Sequence, residues 1–500
     1  MTSPTTQSVV NGITAWMQCE SPTSSPEGVA RMVAEMQRYA LDAGLQATVT
    51  PLGPQVGPLL HVSNRAADDT RPGLLILGHS DTVHPIGTLQ QNPCRTEGDR
   101  LYGPGGYDMK AGIYLALTAL RDLAAAGATA LPVDFLVVPD EETGSHASRP
   151  HIEAFARNTR YGLVCEPARA NGGKCVTARK GTGMLRLGVK GRAAHAGVQH
   201  DKGRSAIREM AHQILALEAM TDYARGVTVS VGTIEGGTAT NTVPDRCRCV
   251  VDFRLPDLRA ADELVDKMQA LRPVGPDMEL EIDVEVNRPP MVKDQAVEAL
   301  LARAQASARH AGFTLEDAPM TGGGSDANFT SAMGVPTLDG LGADGDSAHT
   351  LHEHILVSTL EARLNFWRHL LAHLAQEPAL GVSLPTHPGH LPEATMHAPV
   401  HFTPVPLGKA YRLLNHGPTV LVGSAHAGRS NVMAAAWAMP LDFDTPKIAV
   451  VIDKATLTRE LIEASGVLSI NVPCVAQAEL TRAVGGESGK DHPDKLQQIG

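Results

Sequence analysis

Histidines, aspartates and glutamates gather in five short phrases along this chain. In Gly78-His79-Ser80-Asp81-Thr82-Val83, placed at the end of the apolar run Leu74-Leu75-Ile76-Leu77, the period-two alternation of a strand sends His79 and Asp81 to the same side. A histidine so placed can ligate a metal through one ring nitrogen while the carboxylate two residues on orients the other. Tyr102-Gly103-Pro104-Gly105-Gly106-Tyr107-Asp108-Met109-Lys110 is a glycine-rich approach that lets backbone come close to Asp108, as a bridging ligand requires. Taken alone it reads as a Pro-Gly turn with a surface aspartate. Val137-Val138-Pro139-Asp140-Glu141-Glu142-Thr143-Gly144-Ser145 sets three successive carboxylates directly after an apolar strand end. Hydrolysis at a metal pair needs one carboxylate as ligand and another, unligated, to take a proton from water. Adjacent Glu141 and Glu142 can divide those roles. The fourth phrase is Cys165-Glu166-Pro167-Ala168, again at a strand end, and the fifth runs from Gly342 to Glu353 with His349 and His352 inside it. Each phrase by itself is better read as a turn or a solvated acid; in this order and together they point to a two-metal hydrolase.

Positioning these phrases requires a particular architecture. From about residue 8 to 180, short apolar runs such as Leu74 to Leu77, Phe135 to Val138 and Leu163 to Cys165 alternate with helical segments such as Ala111 to Ala125. That alternation predicts an α/β fold with a mostly parallel sheet of buried strands. Three of the phrases fall at the C-terminal ends of those strands, where open α/β sheets place their sites, and a fourth opens the helix from Ala111. Between 183 and 289 the text changes to strand, helix and alternating strands, which predicts a small α+β domain inserted into the first. The expected division is therefore a catalytic domain at 1–182 and 290–377, an inserted domain at 183–289, a Pro-, Gly- and His-rich linker at 378–396, and a further domain at 397–500. A length of 500 residues agrees with more than one hydrophobic core.

Composition narrows the partners. A formal charge of -11 argues against a general affinity for nucleic acid or anionic lipid, both of which need a basic footprint. No apolar stretch reaches the roughly 18 to 20 residues of a membrane span. Residues Met1 to Gln7 carry neither a basic nor an apolar signal-peptide region, so a cytoplasmic address is expected. The seven cysteines are scattered without paired metal-site spacing and read as reduced thiols, with Cys247 and Cys249 on one face of a strand as small core residues.

With these phrases in order, residues 8 to 377 resemble the metallopeptidase family that includes carboxypeptidase G, acetylornithine deacetylase and succinyl-diaminopimelate desuccinylase. The resemblance implies two zinc ions per chain, with Asp108 bridging them. His79 and Glu166 would complete one site, and Glu142 and His349 the other. Asp81 would orient His79, and Glu141 would be the general base and acid. A cis peptide between Asp108 and Met109 is also implied. His349 keeps the family's four-residue step to a glutamate, Glu353; His352 and His354 are the alternatives for that ligand. In the inserted domain, which would serve as lid and dimerisation domain, Lys190-Gly191-Arg192-Ala193-Ala194-His195-Ala196-Gly197 resembles the phrase whose histidine reaches the partner's active site. His195 would then hold the oxyanion in trans. Asn241 and Arg254 match substrate-side positions, while Arg288 and the loop containing Gly324 resemble the carboxypeptidase G pattern. An arginine can clamp a carboxylate bidentately, which implies a small-molecule or peptide substrate with a free carboxylate; surface salt bridges are the competing reading of both arginines.

Residues 397 to 500 are similar to part of the flavin reductase-like, FMN-binding split barrel, through Leu421 to Ser424, Arg429 to Trp437, Lys454 to Thr458 and Ser469 to Pro473. Asn431 and Thr456 would be its cofactor-binding residues, in an incomplete β barrel. The expectation is a dimeric zinc hydrolase that releases a C-terminal amino acid such as glutamate. The alternatives are an N-acyl amino-acid deacylase and, from another class, an FMN-dependent oxidoreductase; a metal-stabilised scaffold is disfavoured by the presence of Glu141 and His195.

Overall fold

The computed structural model describes residues 4–66, 68–127, 131–376, 419–426, 429–435, 438–442, 447–453, 456–473, 481 and 484. The linker expected over 378–396 lies outside them. The chain separates into two compact units, Met1–Ala379 and Leu380–Gly500.

The first unit is built on a six-stranded sheet in the order Gln46–Thr50, Leu59–Ser63, Val133–Val138, Gly73–His79, Thr159–Val164 and Thr337–Leu338. The last four run parallel to one another, and the first two pair antiparallel. Every residue of Gly73–His79 and of Val133–Val138 is buried, which is why those strands read as unbroken apolar runs rather than alternating ones. Because Gly73–His79 is parallel to both neighbours, the C-terminal ends of three consecutive strands open on one edge of the sheet. Helix Ala111–Ala125 buries Ile113, Leu115, Ala116, Leu117 and Leu120 and packs against Leu360–Gln376. Helix Pro26–Leu41 starts at Ser25, whose side chain accepts the Gly28 N–H, and carries Val29, Met32, Val33, Met36 and Ala40 on one buried stripe.

A second, antiparallel sheet has Thr228–Gly236 at one edge, then Arg246–Leu255, Gly181–Lys190 and Glu279–Arg288. Its alternation is regular: Cys247, Cys249, Val251, Phe253 and Leu255 face a core shared with Leu185, Leu187 and Val189. Helices Ala206–Glu218 and Leu258–Gln269 cover that face. The opposite face presents Arg186, Asp252 and Arg254.

In the second unit Val420–His426 pairs with Arg429–Ala435 and with Ser469–Asn471, Ala438–Asp442 pairs with Lys447–Val450, and helix Leu457–Ser465 packs on the first of these strands. Among the described residues no helix is long and apolar enough to cross a membrane, and the six described cysteines are free.

Candidate metal centre

His79 ends its strand, the Asp140-Glu141-Glu142 turn follows Val138, and Glu166 lies two residues beyond Val164, so parallel neighbours bring all of them to one sheet edge. Asp108 arrives from the Gly-rich turn before helix Ala111–Ala125, through a cis peptide between Asp108 and Met109, as the family resemblance implies. Its two carboxylate oxygens face opposite ways. Oδ1 lies 3.1 Å from His79 Nε2, which is also 3.9 Å from Glu166 Oε1. Oδ2 lies 3.1 Å from His349 Nε2, which is 3.4 Å from Glu142 Oε2. Ligand atoms of His79, Asp108 and Glu142 lie within 4.8 Å of one another, as do those of His79, Glu141 and Glu166.

The supports of these groups are equally definite. His79 Nδ1 lies 2.9 Å from the Asp81 carbonyl oxygen and 3.5 Å from that residue's carboxylate. The orienting role expected of the Asp81 carboxylate is thus shared with its own backbone. That carboxylate, fully buried, also accepts the Glu141 and Glu142 N–H groups at 3.3 and 3.2 Å and the Thr23 hydroxyl at 2.7 Å, fixing the acidic turn to the histidine strand. His349 adopts φ 65°, in the left-handed region that only a few per cent of non-glycine residues occupy, histidine more readily than most. His354 instead faces the His352 carbonyl at 2.8 Å and packs on Tyr102, so of the three candidate histidines His349 is the one brought to Asp108.

The electrostatics describe a site with too many acids for its protein cations. Burial pushes the Glu141 carboxyl up to about 7, against the pull of Arg288, and the Glu142 carboxyl up to about 8. Burial and the neighbouring Asp108 raise Glu166 well above the carboxylate range. Burial alone would raise Asp108 too, but hydrogen bonds from His349 and His79 hold it low. The bond to Asp108 lifts His349 to about 9. Glu142 Oε1 is buried with no hydrogen-bond partner. Buried carboxylates can ionise together only around added positive charge. The donor set, imidazole and carboxylate with no thiolate, fits a divalent metal pair of catalytic type.

The cleft above these groups has a volume of about 550 Å³ and is lined by Asp108, Glu141, Glu142, Glu166 and His349 together with Arg179, Arg254, Arg288 and Gly324. Arg288 departs from the simple clamp expected of it: its Nη2 is 2.8 Å from Glu141 Oε1, 3.1 Å from Ser145 Oγ and 3.2 Å from Asp326 Oδ1, so much of its charge is already matched. Arg254 is held by Asp252 at 2.7 and 2.8 Å. Gly324 is a close approach, since a Cβ there would stand 2.8 Å from Arg288 Cδ. Sequence reasoning missed Arg179, which is 1% exposed, pairs with Asp339 at 2.5 Å, and keeps Nη2 buried without a partner. It gave no role to Ser145, which ends the third phrase, or to Asp326, which ends the loop carrying Gly324; no local pattern announces Arg179. His195 and Asn241 do not line this cleft. Both are exposed, on or beside a separate short ladder of Ala194–His195 with Thr242–Val243, with the Ala196 N–H donating to the Asn241 carbonyl at 2.9 Å.

The second unit offers a smaller cleft of about 370 Å³ that includes Asn431 but not Thr456. Asn431 Nδ2 donates to Thr458 Oγ1 at 2.8 Å, and Thr456 caps helix Leu457–Ser465 through the Arg459 N–H. Of the two expected flavin contacts, Asn431 lines this cleft, and its partner Thr458 stands two residues beyond Thr456. No charged side chain lines the cleft among the described residues; its polar lining is Ser424, Ser430, Asn431 and Ser469.

An α/β sheet with acids and histidines converging on a shared aspartate at its C-terminal edge defines a metal-dependent hydrolase. The chain belongs to peptidase family M20/M25/M40, which it matches over residues 75–373. Residues 412–499 match the flavin reductase like domain. Carboxypeptidase G2 of Pseudomonas sp. (strain RS-16) is 27% identical over 372 residues, 73% of this chain and 89% of that protein. The uncharacterized protein YddH of Escherichia coli (strain K12) is 52% identical over 101 residues, which span 20% of this chain and only 53% of YddH. The solved metallo-carboxypeptidase Sso-CP2 of Sulfolobus solfataricus shares the fold with a TM-score of 0.59 at 18% identity, over 73% of this chain and 98% of that one.

Proposed function

We propose that this hydrolase is a dinuclear zinc enzyme that cleaves the amide bond holding a C-terminal amino acid, such as glutamate, in an N-acyl or peptidyl substrate. The observation that carries the reading is the division of Asp108, one oxygen toward His79 and Glu166 and the other toward His349 and Glu142. Those five residues would hold the ions. When bound, the metal pair supplies Lewis-acid activation of water and of the scissile carbonyl.

The remaining chemistry belongs to the chain. Glu141 faces the cleft, is largely buried and has a carboxyl group poised near neutrality, which suits a group that takes a proton from the attacking water and returns it to the leaving amine. Arg288 and the Asp81 carboxylate hold Glu141 in place, through its side chain and its backbone N–H respectively. Arg179, Arg254 and Arg288 line the same cleft, and Arg179 Nη2 and Arg288 Nε are buried donors with no partner. Unspent buried donors favour an anionic ligand, and a free carboxylate on the substrate answers them. The likeness to carboxypeptidase G2 supports glutamate as the released residue.

His195 would complete the site from a second copy of the chain. Its exposure beside Asn241, outside its own cleft, supports that role. The unpaired edge strand Thr228–Gly236, with Ile234 55% exposed, offers a surface for a homodimer. The free state of the six described cysteines is in keeping with a cytoplasmic address.

The test is metal content measured together with release of amino acids from a panel of N-acyl and peptidyl substrates, before and after chelation and zinc restoration. About two zinc ions per chain with chelator-sensitive glutamate release is the expected result. Release from simple N-acyl amino acids alone would make the enzyme a deacylase, and a chain that takes up no metal would overturn the reading.

A further inference from the structure

Three ligand-bearing segments meet at one carboxylate that none of the proposed chemistry uses. Glu353, four residues beyond His349, is 1% exposed. Its Oε1 accepts the backbone N–H groups of Tyr107 at 2.9 Å and of Asp108 at 3.0 Å. Its Oε2 accepts the Gly105 N–H at 3.2 Å and lies 2.5 Å from Nε2 of His84, which is also buried and follows His79 by five residues. The loop that carries His349, the turn that carries Asp108 and the segment that carries His79 are therefore tied at a single side chain.

The turn is shaped for this contact. Gly105 has φ 65°, and a Cβ there would lie 2.4 Å from Thr82 Cγ2, so no other residue fits without displacing its neighbours. Convergent N–H groups of such a turn make a concavity for an anion. Here a side chain of the same molecule fills it. The cleft lining does not include Glu353, so it works on the site only through Asp108 and His349.

Resting on the dinuclear reading above, we propose that Glu353 is the positioning residue of the shared aspartate: seated on the 105–108 turn and His84, it sets Asp108 against His349 so that both Asp108 oxygens face ligand partners. An arrangement that merely packed the loop would not need three backbone donors from the segment of the shared ligand.

Glu353→Gln tests this. The amide keeps the shape but turns an N–H toward either the Tyr107 and Asp108 donors or the Gly105 and His84 donors, whichever way it flips. Co²⁺ binding to the metal-free protein, followed by its visible spectrum, should weaken by about 10 to 100-fold with an altered band pattern, while KM changes little and kcat falls. Asp134→Asn is the control: Asp134 is also buried, in a network with Arg65 and His61 at the far end of its strand from the ligands, and its loss should leave cobalt affinity and spectrum as in the wild type. Wild-type cobalt affinity and spectrum in Glu353→Gln would overturn the proposal and leave the metal reading standing. If Glu353→Gln does not fold, His84→Gln is read instead. It should show a smaller loss in the same direction, and an unaltered cobalt site in folded His84→Gln would equally overturn the proposal. A wild-type chain that takes up no cobalt overturns both the proposal and the reading beneath it.

Discussion

The two clefts differ in what the fold leaves unspent. In the first unit, Glu142 Oε1, Arg179 Nη2 and Arg288 Nε are buried without partners, and four acids crowd two histidines. In the second, polar groups among the described residues pair internally: Asn431 with Thr458, and Ser424 with the Val467 carbonyl at 2.8 Å. Buried polar groups are normally satisfied, so a cluster of unsatisfied ones marks a place that awaits something from solution. A cleft whose groups already pair with one another is finished as it stands. The same contrast appears in the backbone, since Ser347 and His349 both occupy the left-handed region beside the first cleft.

The largest effect that sharpens the contrast is expected at Glu141. Glu141→Gln keeps the side chain's size and its contact with Arg288 while removing the proton acceptor, so kcat should fall by about 10² to 10⁴-fold. Zinc content, measured on the same preparation, should be unchanged. Near-wild-type turnover would move the base elsewhere in the cleft.

A smaller but more distinctive effect is the coupling of metal to protons. In the metal-free protein Glu142 titrates near 8, His349 near 9, and Glu166 is raised. All three must lose their protons to bind metal, so each proton displaced makes the affinity rise about tenfold per pH unit below the relevant pKa. Calorimetric titrations in buffers of different ionisation enthalpy should show proton release at pH 7. Stability follows the same sign. A carboxyl raised from 4.5 to about 8 binds its proton more tightly when folded, and a histidine raised from 6.5 to about 9 does likewise. The chelated protein should therefore lose stability as pH rises from about 5 to 9, by the linkage between bound protons and folding. Metal should remove that slope, and a flat melting temperature without metal would mean the acids are not crowded as described.

Arg254 tests the cationic lining of the same cleft. Arg254→Leu removes a cation from the cleft lining but touches no ligand, so KM for a substrate with a free carboxylate should rise about tenfold while kcat for its amide-capped analogue stays the same. An equal effect on both substrates would show that Arg254 supports the sheet through Asp252 and binds nothing.

How much of this was legible beforehand follows from the range of the interactions. His79, Glu141, Glu142 and Glu166 could be read because each follows a short apolar run, and buried parallel strands carry the residues after them to a common edge. Asp108 was legible through its glycines. The choice of His349 over His352 and His354 came from a resemblance, and the geometry that justifies it, φ 65° in a loop, has no local sequence signal. Arg179 pairs with a residue 160 positions away, and His84 meets Glu353 across 269. Such partners are chosen by tertiary structure, and a lone arginine or histidine in the text looks the same whether it is solvated or buried. Asn431 and Thr456 were named for a cofactor by a resemblance alone; in the fold they make a buried hydrogen bond and a helix cap, neither of which the text around them announces.

That last difference yields the smallest effect and the one best suited to breaking the contrast. If Asn431 is a structural group, Asn431→Ala leaves the hydroxyl of Thr458, which is fully buried, without its partner, at a cost of about 1 to 3 kcal/mol. The loss should appear as a lowered unfolding transition of the second unit, with glutamate release and zinc content unaltered, because the two compact units have separate cores. The wild-type protein should also purify without a flavin absorption band and show none after incubation with FMN. A yellow protein whose colour is lost in Asn431→Ala, with stability unchanged, would mean that the Thr458 contact gives way to a ligand, and that the second cleft is as unfinished as the first.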